Sequence, residues 1–235
     1  VPYNDIAALR AAVSARTCAI VVEPVQGEGG VLPASREYLQ AARELADAHG
    51  ALLIFDEVQT GVGRTGALYA YQQYGVTPDI LTSAKGLGGG FPIGAMLTTT
   101  EIAKHFSVGT HGTTYGGNPL ACAVAEAVID TVNTAEVQAN VTARAAQLRT
   151  GLEALNAELG LFAEVRGMGL LLGAVLADRY TGRAGEVVAK AAEAGVIVLQ
   201  AGPNVVRFAP SLVIGEDEIS EALGRLGSAL QAFAG

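Results

Sequence analysis

The chain has 235 residues, of which 50% are hydrophobic and 16% charged, so it is long enough to bury a large core in one domain or somewhat more. Its net charge is −8 and its 15 lysines and arginines are scattered, which argues against a nucleic-acid surface. No apolar run is long enough to span a bilayer, and the first residues lack the pattern of a signal peptide.

The first half of the chain alternates strand and helix patterns. Apolar or β-branched runs predict strands at 17–23, 51–55, 79–84 and 93–99. Helical patterns cover 36–49, between an N-cap at Ser35 and a stop at Gly50, and 101–106, with a short helix or turn at 66–74. This alternation is typical of a mainly parallel, doubly wound sheet.

From Pro119 onward the pattern changes to long helices and short strands. Helices are predicted at 120–132, 136–159, 186–194 and 216–233, and strands at 162–166, 169–177, 196–199 and 205–208. The two strands at 162–177 are expected to join at Gly167. Strands beside packed helices predict a small α+β domain, with its boundary near residue 128.

The cysteines and histidines do not predict a metal site. Cys18 and Cys122 each lie in an apolar stretch, which is typical of reduced core thiols in a cytoplasmic protein. His49, His105 and His111 stand at no metal-ligand spacing from a cysteine or carboxylate.

An acid and a lysine follow two apolar strands. The run 52–55 ends in Asp56, and the run 79–84 ends in Lys85 and a cluster of glycines. In a parallel sheet such strand ends meet at one edge. Alone, a lysine there is usually solvated, and an acid there usually caps a helix. Together they suit pyridoxal phosphate, because the lysine forms an imine with the aldehyde and the acid keeps the pyridine nitrogen protonated.

Two further motifs accompany this pair: EPVQGEGG at 23–30 and GTTYGGNP at 112–119. From about residue 20 to 212 the chain resembles the class III, or ω-amino-acid, aminotransferases. The resemblance implies the aspartate-aminotransferase-like, type I α/β fold with pyridoxal 5'-phosphate as cofactor. Residues 1–128 would be the C-terminal half of the cofactor-binding large domain, with its mainly parallel sheet, and 129–235 the small C-terminal α+β domain.

Members of the family carry a phosphate-binding turn, a ring-stacking aromatic and a substrate-carboxylate arginine ahead of this region. None of these motifs is present in the sequence. We therefore expect the chain to be the C-terminal portion of a longer enzyme, and to be inactive by itself.

The resemblance also assigns roles to the two strand ends. Lys85 holds the cofactor and then moves the proton, in a site that we expect to be desolvated. Asp56 pairs with the pyridine nitrogen, Gln59 hydrogen-bonds the phenolic oxygen, and Val58 packs on the ring. Glu57 belongs to the same cofactor-binding turn, although a structural role is more common for such a residue.

Two other pairs complete the expected site. The resemblance implies that Thr114 reaches the phosphate in the other subunit of a homodimer, with Thr113 beside the substrate there; plain helix capping is the alternative. Arg207 is a charge in an apolar strand, and such charges are usually paired. The family pattern offers Glu28 as its partner. The resemblance implies that the pair stays closed for an ω-amine donor and opens when Arg207 binds the α-carboxylate of glutamate or 2-oxoglutarate.

The motifs GTHGTTY at 109–115, EVRGMGLL at 164–171 and GPNVVRF at 202–208 most resemble acetylornithine and succinylornithine aminotransferases. This implies amine transfer from an N2-acyl-L-ornithine to 2-oxoglutarate, in arginine metabolism. The alternatives are ornithine or 4-aminobutyrate aminotransferase, another type I enzyme such as an aminomutase, racemase or decarboxylase, and a non-enzymatic α/β domain that keeps the fold.

Overall fold

A computed structural model describes residues 1–234. The chain divides into two units, each considered separately below. Unit 1 contains Val1–Pro24, Ala34–Val62 and Ala67–Thr134, and unit 2 contains Val25–Pro33, Gly63–Gly66 and the chain from Ala135 onward. The division therefore follows Thr134 instead of residue 128, and two earlier segments belong to the second unit.

The strands and helices follow in chain order. The strands are β1 (Ala19–Val22), β2 (Val25–Gln26), β3 (Leu32–Pro33), β4 (Leu52–Asp56), β5 (Ile80–Ser83), β6 (Ala95–Thr98), β7 (Phe162–Met168), β8 (Leu171–Leu176), β9 (Leu199–Gln200) and β10 (Val205–Phe208). The helices are α1 (Ile6–Ala12), α2 (Arg36–His49), α3 (Tyr71–Tyr74), α4 (Thr100–Ala103), α5 (Pro119–Val132), α6 (Ala135–Leu159), α7 (Ala184–Glu193) and α8 (Glu216–Ala234).

Unit 1 contains the mainly parallel sheet that the sequence predicts. Its strand order is β1-β4-β5-β6, with β1, β4 and β5 parallel and β6 antiparallel to β5. Helix α2 has its predicted limits, because the Ser35 side chain accepts a hydrogen bond from the Tyr38 amide and Gly50 ends the helix in the left-handed conformation. Leu39, buried on α2, and Leu53 and Phe55, buried on β4, form part of its core.

The other face of this sheet is not covered by the residues described. Val21 in β1 is 67% exposed, and its partner in the register is Ile54 of β4. Met96 of β6, which the register places on the same face, is also exposed. Parallel sheets are normally covered on both faces, so this face is an apolar surface that lacks a layer.

Unit 2 is the predicted α+β arrangement. An antiparallel sheet of order β7-β8-β10-β9 packs with α6, α7 and α8 around buried leucines that include Leu152, Leu172 and Leu230. The short β2–β3 ladder packs through Val25 and Val31 against a smaller apolar cluster of the same unit.

The segment Gly63–Gly66 joins unit 2 through Arg64. Its Nη1 donates hydrogen bonds to the carbonyl oxygens of Leu170 and Pro210, at 3.1 and 2.6 Å. Burial lowers the pKa of Arg64 to about 10, which is still high enough to keep the guanidinium charged at neutral pH.

Several local expectations differ from the structure. Strand β7 runs through Gly167 and the turn follows Met168, while the strand expected at 196–199 is reduced to Leu199–Gln200. Helix α1 and strands β2 and β3 were not predicted. Cys18 and Cys122 are free thiols, as expected, but both are exposed and so are not core residues: Cys18 precedes β1 and Cys122 lies on an outer face of α5.

The described residues contain neither a candidate membrane span nor a candidate metal site. No helix among residues 1–234 is both long and apolar enough to cross a membrane. Within the same residues, no group of three or more His, Cys, Asp or Glu side chains is arranged to hold a metal ion.

Candidate active site

The best-defined polar group at the strand ends of unit 1 is the Asp56 carboxylate. Asp56 is the last residue of β4 and lies opposite Thr82 of the parallel strand β5. Its Oδ1 accepts hydrogen bonds from the Thr82 hydroxyl at 3.1 Å and from the Val58 amide at 3.0 Å. None of the hydrogen bonds found among residues 1–234 reaches Oδ2. The carboxylate is therefore fixed through one oxygen, and the other is available to a ligand.

Lys85 lies at the same edge of the sheet, two residues after the end of β5. It starts a 3₁₀ turn, Lys85–Gly88, and its φ of 44° places it in the left-handed region, which is uncommon for a residue with a side chain. Such strain persists where the surroundings fix it, and it is found at functional sites. The residue is exposed, so the described residues do not provide the desolvated surroundings that we expected.

The chain beyond Asp56 packs against the turn that carries Lys85. Val62 has a φ of 55°, an outlier for a β-branched residue, and a Cβ added at Gly86 would lie 3.4 Å from its side chain. On β5, the Ser83 hydroxyl accepts a buried hydrogen bond from Tyr69 Oη at 3.2 Å. These contacts fix both strand ends within unit 1.

Glu57 has a structural role. It is fully buried, and its carboxylate accepts hydrogen bonds from the amides of Ala70 and Tyr71 and from the Thr60 hydroxyl. Burial raises the pKa of Glu57, and these three hydrogen bonds oppose part of the rise. Because its oxygens face the protein interior, the side chain is not placed to bind a cofactor, contrary to the expectation for this turn.

The remaining expected residues of unit 1 are placed as follows. Val58 and Gln59 are half-buried in the turn after β4, beside Asp56. Thr113 and Thr114 are exposed in the stretch before α5, where the N-cap is supplied instead by Asn118, whose side chain accepts from the Ala121 amide. The structure therefore does not support the capping alternative for either threonine.

Glu28 and Arg207 form the expected ion pair within unit 2. Arg207 Nη1 lies 2.7 Å from Glu28 Oε1, and the two residues are 179 positions apart in the chain. The Arg207 side chain is 11% exposed, whereas the Glu28 side chain is 69% exposed. The pair thus joins a largely buried guanidinium to a carboxylate at the protein surface.

Sequence reasoning did not identify Thr82, Tyr69 or Val62. Thr82 could have been found, because the side chain that faces Asp56 across two parallel strands follows from their register. The positive φ of Val62 and the Tyr69–Ser83 hydrogen bond depend on tertiary packing and leave no local signal.

Comparison with known proteins identifies the family. The model of the family Aminotransferase class-III matches residues 2–230. The chain therefore belongs to the class III aminotransferases.

Within that family the chain is similar to enzymes that act on acylated ornithine. It is 64% identical to acetylornithine aminotransferase of Pseudomonas putida over 98% of this chain, and 62% identical to succinylornithine transaminase/acetylornithine aminotransferase of Pseudomonas aeruginosa, also over 98% of this chain. In each case it spans 57% of the relative's length. The matches do not confirm the expectation that this chain is the C-terminal portion of a longer enzyme.

A solved structure supports the fold. The crystal structure of N-acetylornithine aminotransferase from Stenotrophomonas maltophilia superposes with a TM-score of 0.92 at 47% identity, covering 99% of this chain and 62% of that one. The aspartate-aminotransferase-like α/β fold expected from the sequence is thereby confirmed.

Proposed function

We propose that the whole protein is a pyridoxal-phosphate-dependent aminotransferase. It would move the ω-amine of N2-acetyl- or N2-succinyl-L-ornithine to 2-oxoglutarate, giving the N-acyl-glutamate 5-semialdehyde and L-glutamate, in arginine metabolism. The observation that carries the proposal is the Asp56 carboxylate, held by Thr82 at the same sheet edge as Lys85. The substrate class comes from the names of relatives at 57–64% identity.

The residues of unit 1 fit the ring and aldehyde ends of the cofactor. To stay protonated, the pyridine nitrogen needs a carboxylate oxygen that does not already accept a hydrogen bond from the protein. Among the described residues, Asp56 Oδ2 is such an oxygen. An aldehyde needs a nearby primary amine, and Lys85 supplies one from the neighbouring strand end. When bound, pyridoxal phosphate supplies an electron-withdrawing ring next to the amine-bearing carbon of the substrate.

The chain's own residues then have distinct tasks. Asp56 holds the proton of the ring nitrogen, and its two hydrogen bonds at Oδ1 keep the carboxylate from rotating. Lys85 Nζ holds the cofactor, and once released it takes the proton from the amine-bearing carbon. Val58 and Gln59, in the same turn, are proposed to contact the ring face and the phenolic oxygen.

Arg207 and Glu28 are proposed to sort the two substrates. A guanidinium binds a carboxylate through two parallel hydrogen bonds, so Arg207 suits the α-carboxylate of glutamate and 2-oxoglutarate. With an acylornithine, whose reacting amine lies at the end of an apolar chain, Arg207 remains neutralised by Glu28; the 2.7 Å contact between the two side chains supports this part of the proposal.

We also propose a cytoplasmic homodimer with shared active sites. Thr113 and Thr114 are exposed before α5, which suits residues that contact a partner subunit. In this proposal the Thr114 hydroxyl and backbone bind the cofactor phosphate in the partner's site, and Thr113 lies beside the substrate there.

Two measurements on the purified whole protein test the function. Added pyridoxal phosphate should give a bound absorption band that borohydride removes, and glutamate should form fastest from 2-oxoglutarate with N-acetylornithine or N-succinylornithine. Ornithine and 4-aminobutyrate serve as comparison donors. The proposal is wrong if no cofactor band forms, or if cofactor binds and none of the donors yields glutamate.

A further inference from the structure

The turn that carries Glu28 is attached to the unit 2 sheet along a single row of residues. We define this Glu28 turn as Gly27–Val31. Gly173 of β8 lies opposite Arg166 of β7 on one side and Arg207 of β10 on the other. Residues that face each other across antiparallel strands share one face of the sheet. The row Arg166–Gly173–Arg207 therefore forms the surface on which the turn rests.

Each member of the row contacts the turn. Arg207 binds the Glu28 carboxylate at 2.7 Å, and Arg166 donates to the Gly30 carbonyl oxygen from Nε at 3.1 Å and from Nη2 at 2.8 Å. In the middle of the row Gly173 leaves room for Val31: a Cβ added at Gly173 would lie 2.8 Å from the Val31 Cβ. No larger residue fits there without displacing the turn.

The turn itself is strained and depends on this attachment. Gly30 has a φ of 112° and Val31, a β-branched residue, a φ of 50°. A backbone hydrogen bond across the turn, from the Val31 amide to the Gly27 carbonyl, is 3.4 Å long. Strain of this kind persists only where neighbouring groups impose it. Here those groups are the apolar cluster around Val31 and the Arg166 guanidinium.

We infer that Arg166 is a positioning residue for Glu28. By holding the Gly30 carbonyl, Arg166 keeps the Glu28 carboxylate against Arg207 and so controls how readily Arg207 is released to a substrate carboxylate. The effect on substrates rests on the proposed function, whereas the hold on the turn does not. Glu28 then opens by side-chain rotation on a fixed backbone, without displacement of the turn.

The test uses Arg166→Met, which keeps the apolar stem and removes the donors, and Arg166→Lys, which keeps the charge but has a single donor nitrogen. The chain offers a matched control in Arg149→Met. Arg149 is also half-buried in unit 2 and donates to two backbone carbonyls of β7, those of Val165 at 2.6 Å and Gly167 at 3.2 Å, but none in the Glu28 turn.

The first readout is amide hydrogen exchange in residues 27–31. Loss of hydrogen bonds from a charged donor should speed exchange there by about tenfold or more in Arg166→Met. Arg166→Lys should recover part of the protection and Arg149→Met should leave it unchanged. Unchanged exchange in Arg166→Met, with all variants folded by circular dichroism, would overturn the inference.

The second readout is the ratio of kcat/KM for the acylornithine donor to kcat/KM for glutamate. A loosened Glu28 leaves Arg207 unneutralised, so the ratio should fall about tenfold in Arg166→Met, in the same direction as in Glu28→Ala. Equal losses on both substrates, or the same shift in Arg149→Met, would show a general structural defect and overturn the assignment. If the wild-type protein transaminates no donor at all, the proposed function has failed, and the exchange experiment alone decides whether Arg166 holds the turn.

Discussion

Asp56 and Thr82 face each other across two parallel strands, and the Thr82 hydroxyl donates a 3.1 Å hydrogen bond to Asp56 Oδ1. Since the Val58 amide donates to the same oxygen, both protein contacts lie on one side of the carboxylate. The Asp56 side chain thus has a fixed direction before any ligand binds, which lowers the cost of ordering it on binding.

Replacing Asp56 with asparagine should slow proton removal from the donor while leaving cofactor bound. The amide oxygen can still accept from Thr82 and Val58, but the fixed negative charge is lost. We expect single-turnover rates to fall on the order of a hundredfold or more. Asp130→Asn, at an exposed site on α5, is the control. An unchanged rate in Asp56→Asn would rule out its role beside the ring nitrogen.

Lys85→Ala should remove the borohydride-reducible link to the cofactor and lower turnover by on the order of a thousandfold or more, because the proposed imine needs the Lys85 amine. The matched control is Lys104→Ala, an exposed lysine of the same unit whose partner is Glu101 at 2.6 Å. Turnover is measured by glutamate formation and the link by mass spectrometry after reduction. Normal turnover in Lys85→Ala would refute the assignment.

Arg207→Ala should weaken the glutamate half-reaction far more than the acylornithine half-reaction. A bidentate contact to the α-carboxylate is lost only with glutamate or 2-oxoglutarate, at a cost of about 2–4 kcal/mol. The two half-reactions are measured separately by stopped-flow absorption. Equal losses in both would contradict a sorting role for the Glu28–Arg207 pair.

Glu57→Gln should change how stability depends on pH. Burial raises the pKa of Glu57 in the folded state, so its proton is held more tightly there than in the unfolded chain. Its contribution to stability is fully present below the ordinary value of 4.5 and is lost as the pH rises through the higher folded value. The wild type should therefore lose stability relative to Glu57→Gln as the pH rises above 4.5. Urea unfolding of both proteins over that range checks this, and a difference that does not vary with pH would contradict it.

The 235-residue chain should self-associate through the uncovered sheet face of unit 1. Val21 is 67% exposed at the edge strand β1, and exposed apolar sheet surface is prone to pair with another chain. Val21→Lys should shift sedimentation toward the monomer, whereas Ala11→Lys, which adds the same charge on the exposed side of α1, should not. Identical sedimentation of the two variants would point to another surface.

Local signals account for what the sequence predicted well. Helix α2 has its predicted limits because its two caps, Ser35 and Gly50, directly precede and follow it in the sequence. Asp56 and Lys85 were proposed from the sequence because each follows an apolar run directly, and the structure places both at the same sheet edge. The missed features depend on distant partners: strands β2 and β3 are only two residues long each, and Gly30 is held by an arginine 136 positions away. Cys18 and Cys122 were misjudged because an apolar neighbourhood in sequence does not fix which side of an element faces solvent.

The segment Val25–Pro33 has a consequence for the order in which the protein folds. The residues that flank it are joined early, within unit 1. The Ala34 amide donates a hydrogen bond to the Pro24 carbonyl oxygen at 2.9 Å, and Tyr74 Oη donates to the carbonyl oxygens of Pro24 and Ala34. Its partners on β7 and β10 follow more than 130 positions later in the chain, as the separations of 136 and 179 residues show. During synthesis this closed loop must therefore wait, exposed, for strands that are made more than 130 residues later. Such long-range closure is slow, so we expect docking of the Glu28 turn to be among the final steps of folding.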